Sequence, residues 1–309
     1  MKKFKRICVV IFIVFSVFIC SNCFLLKQKY HEKLLIDGKI GSGPGEIRWE
    51  TIDYLPTGPT SFGINNRGEI FILDYLNHRI VKFDSKGNYA DDILQGAHLH
   101  LMDIAFNKRG DVFVEYVSGD VSIFDRGLSF IRTLDLKAPV PPITPEMTHL
   151  EVTEGGTILL VDPKLDQVDQ IIEADTTGNI VQTKDNFHGY IETKGEYYVK
   201  AKSSGEKILY KAANDKAVFS LGKLGAGKEE ARVIGVDSLK NVYFLTPMEG
   251  SMTDRIVKVN HRGWRRADFT VKISPGHADV CRTVRVSPGG KVFVLDDDNE
   301  RFHLWEYSP

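Results

Sequence analysis

The sequence predicts an all-β chain closed into a ring, a six-bladed β-propeller with an N-terminal strand closing the last blade and a hydrophobic N-terminal segment before it. Three observations predict it. Runs such as Gly68–Tyr75, Arg79–Asp84 and Lys291–Asp298 are rich in β-branched and aromatic residues and end at Asp, Asn or Gly, with no helical periodicity between them. These runs recur at a fixed long period. The last unit stops one strand short, while one spare strand stands in front of the first.

Each unit is an aliphatic strand, a tight turn, a second strand ending in Asp, a loop, a third strand, a turn and a fourth strand. The first turns are marked by Gly68, Gly110, Gly156, Gly195, Asn241 and Gly290, spaced 39 to 49 residues apart, the length of a four-stranded blade. Gly and Asn tolerate the positive φ that such turns need. The turns between third and fourth strands repeat as Asp84–Gly87, Asp175–Gly178 and Asn260–Gly263. The sixth unit ends with its third strand at Arg301–Ser308, and Lys33–Ile40 supplies the missing fourth. That pairing removes two exposed sheet edges. A second internal match sets Asp37–Glu46 beside Leu221–Glu230, each leading from a fourth strand into the next blade.

Residues 1–26 read as a targeting or anchoring segment and residues 33–309 as the propeller. Lys2, Lys3, Lys5 and Arg6 precede an apolar run from Ile7 to Ile19, which approaches the ~20 residues of a membrane span if Cys20–Leu26 is added. Two readings stand side by side: a lipoprotein signal with Cys23 as the acylated residue, or an uncleaved signal anchor. Asn22 before Cys23 departs from the usual small residue. Both place the rest of the chain outside the cytoplasm, on the membrane of a bacterial cell envelope. Of the four cysteines, Cys8, Cys20 and Cys23 lie in this segment, so Cys281 alone in the propeller excludes an internal disulfide framework. A net charge of −1 argues against a nucleic-acid binder driven by bulk electrostatics.

Gly58–Tyr89 resembles an NHL repeat almost throughout, with Asn77-His78-Arg79-Ile80 matching the motif that names the family except for its third letter. The sixth unit keeps Asp296, Asn299 and Arg301 where the first has Asp74, Asn77 and Arg79, and the fifth keeps Arg255-Ile256. The resemblance covers residues 33–309 and implies the propeller. It does not choose a function, since such propellers serve as protein scaffolds, RNA binders, extracellular sensors and a metal-dependent lyase.

Three motifs carry a bland reading more easily than a sharp one. Gly222–Glu229 resembles a phosphate-binding loop, but Glu229 replaces the required hydroxyl and no helix follows, so it reads as an inter-blade turn. Asp296–Glu300 lacks the spacing of a calcium loop and reads as a solvated turn. His261–Arg266 joins basic and aromatic residues and reads as an exposed turn, or one in contact with acidic lipid headgroups, rather than an RNA surface.

Aligning the innermost strands on the turn glycine gives the candidate site. Seven positions before it stand Ser61, Asp103, His149 and His188, with Thr283 in the sixth unit; two positions later stand Glu151, Tyr190 and Arg285. These are expected at one mouth of the central channel, with His98, His100 and His277 in loops on the same face. Asp103, His149 and His188 form the candidate set for a divalent metal, the one cofactor considered. The reading drawn from this is a membrane-anchored binding scaffold for an envelope protein, a peptide or a glycan. The alternative is a metal-dependent hydrolase or lyase at the channel mouth. No serine elbow, HExxH or CxxC pattern is present in residues 33–309, which favours the scaffold over the enzyme.

Overall fold

The computed structural model describes residues 27–309 except 53–54, 95–99, 137–148, 153–155, 162–168, 176, 178–179, 188–196, 202–203, 205, 212–213, 215, 226–230, 249–250, 252 and 274–281. Among the described residues the strands form five four-stranded sheets, one three-stranded sheet and a two-stranded hairpin at Glu50–Ile52 and Leu55–Thr57. In chain order the first sheet runs Ser61–Ile64, Ile70–Asp74, Arg79–Phe83, Tyr89–Leu94; the second Leu101–Phe106, Val112–Tyr116, Asp120–Phe124, Phe130–Asp135. The third runs His149–Val152, Ile158–Val161, Asp169–Ala174, Ile180–Phe187; the fourth Tyr197–Ala201, Lys207–Lys211, Lys216–Ser220. The fifth runs Arg232–Val236, Val242–Thr246, Thr253–Val259, Arg265–Lys272; the sixth Val284–Val286, Val292–Asp297, Arg301–Ser308 and, from the other end of the chain, His31–Lys39. The innermost strand expected in the fourth unit falls on residues 188–196, outside the described residues.

Ring closure follows from that last pairing. His31–Lys39 lies antiparallel to Arg301–Ser308 in a register from His31 opposite Ser308 to Lys39 opposite Arg301, with one bulge between Leu34 and Ile36. Gly38 sits opposite Phe302, and a Cβ there would stand 2.0 Å from the Phe302 ring, so the glycine lets the closing strand approach a fully buried phenylalanine. Burying such a ring contributes about 2–3 kcal/mol. The innermost strands of sheets six, one, two and three lie side by side in that order, and so do those of sheets five and six. Each described hydrophobic cluster straddles two consecutive sheets; Phe62, Ile72 and Val81 of the first pack on Phe293, Phe302 and Leu304 of the sixth. Sheets covered on both faces bury every residue of their central strands, as at Ile70–Asp74 and Val112–Tyr116. That is why these segments read as continuous apolar runs instead of alternating ones.

The turns are built by one device. Asn65 Oδ1 accepts from the backbone N–H of Arg67 and Glu69, and Gly68 takes φ 77°. Asn107, Asp237, Asp84, Asp125 and Asn260 fold back onto the residues two and four positions on in the same way. In the fifth sheet this corrects the alignment: Asp237 starts the turn, so the left-handed position belongs to Lys240 with φ 62°, not to Asn241. Asn241 instead donates to the Asp237 carboxylate. The energetic cost of positive φ at a lysine is offset by that fixed Asp237 cap.

The residues that carry the repeat resemblance in the first and fifth sheets are latches to the segment leading in from the preceding sheet, and Arg301 is a latch within the sixth. Arg79 pairs with Asp74 at 3.0 Å and Asp92 at 2.8 Å, while its Nη2 donates to the carbonyls of Gly43 and Glu46. Asn77 donates to Asp74 and to the Gly41 carbonyl. The first sheet thereby grips the segment that leads into it from the sixth. In the fifth sheet Arg255 binds both oxygens of Asp268, at 2.7 and 2.6 Å, and donates to the Leu224 carbonyl of the 3₁₀ turn Leu221–Leu224. Arginine and aspartate are 13 residues apart in both cases. The points so gripped, Gly43 and Glu46 in one case and Leu224 in the other, fall within the two segments that match in sequence. Arg301 makes the third latch, to Asp37 on the closing strand. The loop at Asp296–Glu300 closes on itself, with Asp298 accepting from the N–H of Glu300 and Arg301.

Hydrogen bonding from Arg255 holds the Asp268 carboxyl below the usual carboxylate range, outweighing its partial burial. A depressed folded-state value gives stability that is present above the unfolded value of about 3.9 and is lost as pH falls through the lower folded value. Urea unfolding followed from pH 7 to pH 2 should show this loss in the native chain. Asp268→Asn should be less stable at pH 7 and show a shallower acid dependence; an unchanged pH profile would rule the latch out as a source of acid sensitivity.

Candidate functional site

Four sheets meet at the ring axis through charged side chains. Asp103 enters from the innermost strand of the second sheet, Ser61 from the first, Glu151 from the third, and Arg282 and Arg285 from the sixth. Ser61 donates its hydroxyl to Asp103 Oδ1 at 2.6 Å. Arg285 Nη2 lies 2.6 Å from the same oxygen, 3.0 Å from Ser61 Oγ and 3.0 Å from the Ile104 carbonyl, and Arg285 Nε donates to the Phe62 carbonyl. Asp103 also accepts from the backbone N–H of Ile104 and, through Oδ2, from that of Leu150. Arg282 donates to Glu151 at 2.6 Å, with its Nε 3.6 Å from Asp103 Oδ2. The side chains of Asp103, Arg282, Glu151 and Arg285 are 0, 11, 13 and 14% exposed.

Two guanidinium groups and two carboxylates cancel in charge. Burial and the neighbouring Arg282 cation push Arg285 below the ordinary guanidinium value, and Asp103 and Glu151 pull it back. The sequence alignment thus brings together Ser61, Asp103, Glu151 and Arg285 as expected. It missed Arg282, because an offset of seven selects the buried Thr283 and the residue that reaches the carboxylates is its neighbour. Arg282 forms an isolated parallel bridge to Ser61, and its N–H points to the Thr60 carbonyl. That irregular entry into the strand shifts the phase by one residue.

Of the expected metal set, Asp103 alone has a described side chain: both of its oxygens accept hydrogen bonds and two guanidinium groups stand beside it. Each unit of positive charge brought within 4 Å of a guanidinium costs about 4 kcal/mol at an effective dielectric of 20. No group of three metal-binding side chains occurs among the described residues. His149 lies in the third sheet opposite Val161, and its side chain falls outside the described residues, as do His188, Tyr190, His98, His277, Cys281 and Cys23.

Beside this closed network is an accessible cluster that the alignment did not single out. Tyr75 and His78 belong to the loop between second and third strands of the first sheet, and His100 leads into the second sheet. His100 Nδ1 is 3.0 Å from the Tyr75 hydroxyl, and the His100 ring lies 5.3 Å from the Tyr75 ring and 5.9 Å from that of His78. His78 holds φ 53°, fixed by the bond from its N–H to the Tyr75 carbonyl. The available signal was the Asn77-His78-Arg79 motif: its asparagine and arginine are latches, and its histidine is half-buried against His100, with its Nδ1 buried.

No protein-family model and no curated protein matches this sequence. Among solved structures, a chain in the crystal structure of a mitotic checkpoint complex is similar over 92% of this chain and 98% of its own, at 13% identity and a TM-score of 0.53. The fold is an all-β propeller. Virginiamycin B lyase from Staphylococcus aureus is similar over 89% of this chain and 88% of its own, at 10% identity and a TM-score of 0.45. At these identities the propeller is a likeness of fold and not of activity. Among the described residues no helix is long and apolar enough to cross a membrane.

Proposed function

We propose that this chain is an extracytoplasmic, membrane-anchored propeller of six NHL-type blades that binds a protein, peptide or glycan partner. Six blades are supported by the six sheets of three or four strands, the three-stranded one falling short where residues 188–196 would supply its innermost strand. The NHL-type reading is supported by the Arg79 latch and its counterparts at Arg255 and Arg301. Anchoring is supported by the basic and apolar residues 2–26.

One observation carries the binding reading: the charged side chains at the axis satisfy one another, while the Tyr75–His78–His100 cluster beside them is accessible. A closed ion network offers neither an open metal position nor an available base. Aromatic and imidazole rings set at angles to one another, on loops held by rigid sheets, offer ring faces and edges to a peptide or a sugar ring. The test uses detergent-solubilised full chain immobilised against glycan arrays and envelope extract. A retained partner should bind at least tenfold more weakly to Tyr75→Ala/His100→Ala, the loss of about 1.4 kcal/mol or more expected of a central anchor. A partner retained with equal affinity by the double variant would place recognition elsewhere and refute this site.

A further inference from the structure

The opposite face of the propeller, which carries the turns between first and second and between third and fourth strands, has a chemistry of its own. The Asn or Asp that begins each turn folds back onto the backbone. The projecting positions are left to other residues, and each of these turns carries an exposed basic side chain, Arg67, Lys86, Arg109, Arg126, Lys240 and Arg262, of which Arg67 pairs with Glu69. Two large apolar side chains stand out among them, Leu239 at 77% exposure and Trp264 at 47%, with the Arg262 guanidinium 5.8 Å over the Trp264 ring.

The chain enters the propeller at this face. Gln28 donates its N–H to the Arg266 carbonyl and accepts from Lys258. Tyr30 stacks on Phe269 at 4.2 Å and donates to the Gly290 carbonyl, beside the Tyr243 hydroxyl. Lys258 pairs with Asp237, the residue that begins the turn holding Leu239, and Arg266 follows the turn holding Trp264. The apolar segment ends at Leu26, so almost no linker separates it from these contacts. A tether that short fixes which face meets the surface it is tethered to.

We propose that the turn-bearing face lies against an anionic lipid surface, with Leu239 and Trp264 at headgroup level. The channel mouth and the Tyr75–His100 cluster then point away from the membrane. This rests on the anchored reading above. Lysine and arginine tips on the turns of the first, second and fifth sheets, with a tryptophan and a leucine exposed on the fifth, are a composition that anionic interfaces attract.

The test is tryptophan quenching in the full chain reconstituted into vesicles with brominated acyl chains, made of phosphatidylcholine with or without phosphatidylglycerol. Of the three tryptophans, Trp49 is buried and Trp305 half-buried, which leaves Trp264 as the reporter. Emission should fall in anionic brominated vesicles, and Trp264→Phe should remove most of that loss. Lys240→Glu/Arg262→Glu should reduce the quenching while the chain still co-floats with the vesicles. Co-flotation with unquenched emission, or equal quenching of Trp264→Phe, overturns the orientation alone and leaves the face to another occupant. Quenching that is the same without phosphatidylglycerol overturns the anionic surface. A chain that does not co-float overturns anchoring and the orientation with it.

Discussion

Arg285→Ala is expected to lower the stability of the chain by about 3–5 kcal/mol, the range for breaking a buried ion pair from one side. The loss comes from what remains. Asp103 is fully buried, and without Arg285 its nearest cation is Arg282 Nε at 3.6 Å. The carbonyls of Phe62 and Ile104 lose a donor in the same step. Arg285→Lys should recover little, because a single ammonium cannot replace a planar fork that reaches three sheets. Arg285→Met/Asp103→Leu should lose less than the sum of the two single changes, since both charges leave together. Urea unfolding at neutral pH reads all five variants. A loss below about 1 kcal/mol in Arg285→Ala would mean that the pair behaves as a surface ion pair, and the axis would not be the structural joint described above.

Arg79→Ala should fall in the same range, about 3–5 kcal/mol, and well beyond Arg255→Ala. The two latches have the same plan but different burial. Arg79 and Asp74 are 7% and 0% exposed at the side chain, against 23% and 20% for Arg255 and Asp268. Burial already pushes the Asp74 carboxyl up, held back by hydrogen bonds from Asn77 and Arg79. Removing Arg79 raises it further. An acid whose folded value is raised binds more protons folded than unfolded, so its penalty grows as pH rises from the unfolded value through the folded one. The deficit of Arg79→Ala relative to the native chain should therefore be larger at pH 7 than at pH 4. Equal deficits at both pH values would mean that Asp74 does not carry the effect.

Most of the fold was legible because the turn chemistry repeats. An Asn or Asp followed three residues later by Gly marks the turns at Asn65, Asp84, Asn107 and Asn260, and continuous apolar runs lie between the marks. The truncated sixth unit and the spare strand before the first could be joined on edge pairing alone. The site was legible only in part. Ser61, Asp103, Glu151 and Arg285 share one phase of their strands, so a period of two found them. Arg282 was hidden by the irregular bridge at the start of its strand, and Lys240 by occupying a left-handed position that usually signals glycine. The surroundings of Asp103 were hidden for a further reason. Residue types and spacing show that a carboxylate reaches the axis, but not that guanidinium groups from the far end of the chain arrive there as well. Tyr75 and His78 went unnoticed because their motif reads as repeat architecture, which its asparagine and arginine are.

Ring closure by the N-terminal strand is the claim on which the rest depends, because it places the sixth sheet and both of its arginines beside the first. Native-state hydrogen exchange of the amides in Leu34–Lys39 tests it most directly. They pair with Arg301–Trp305 in the register described, so those bonded to that strand should exchange only through global unfolding, at the same free energy as the amides of Val292–Leu295. Exchange through local opening, at a free energy far below the global value, would show that the strand frays from the ring and would contradict the closed propeller.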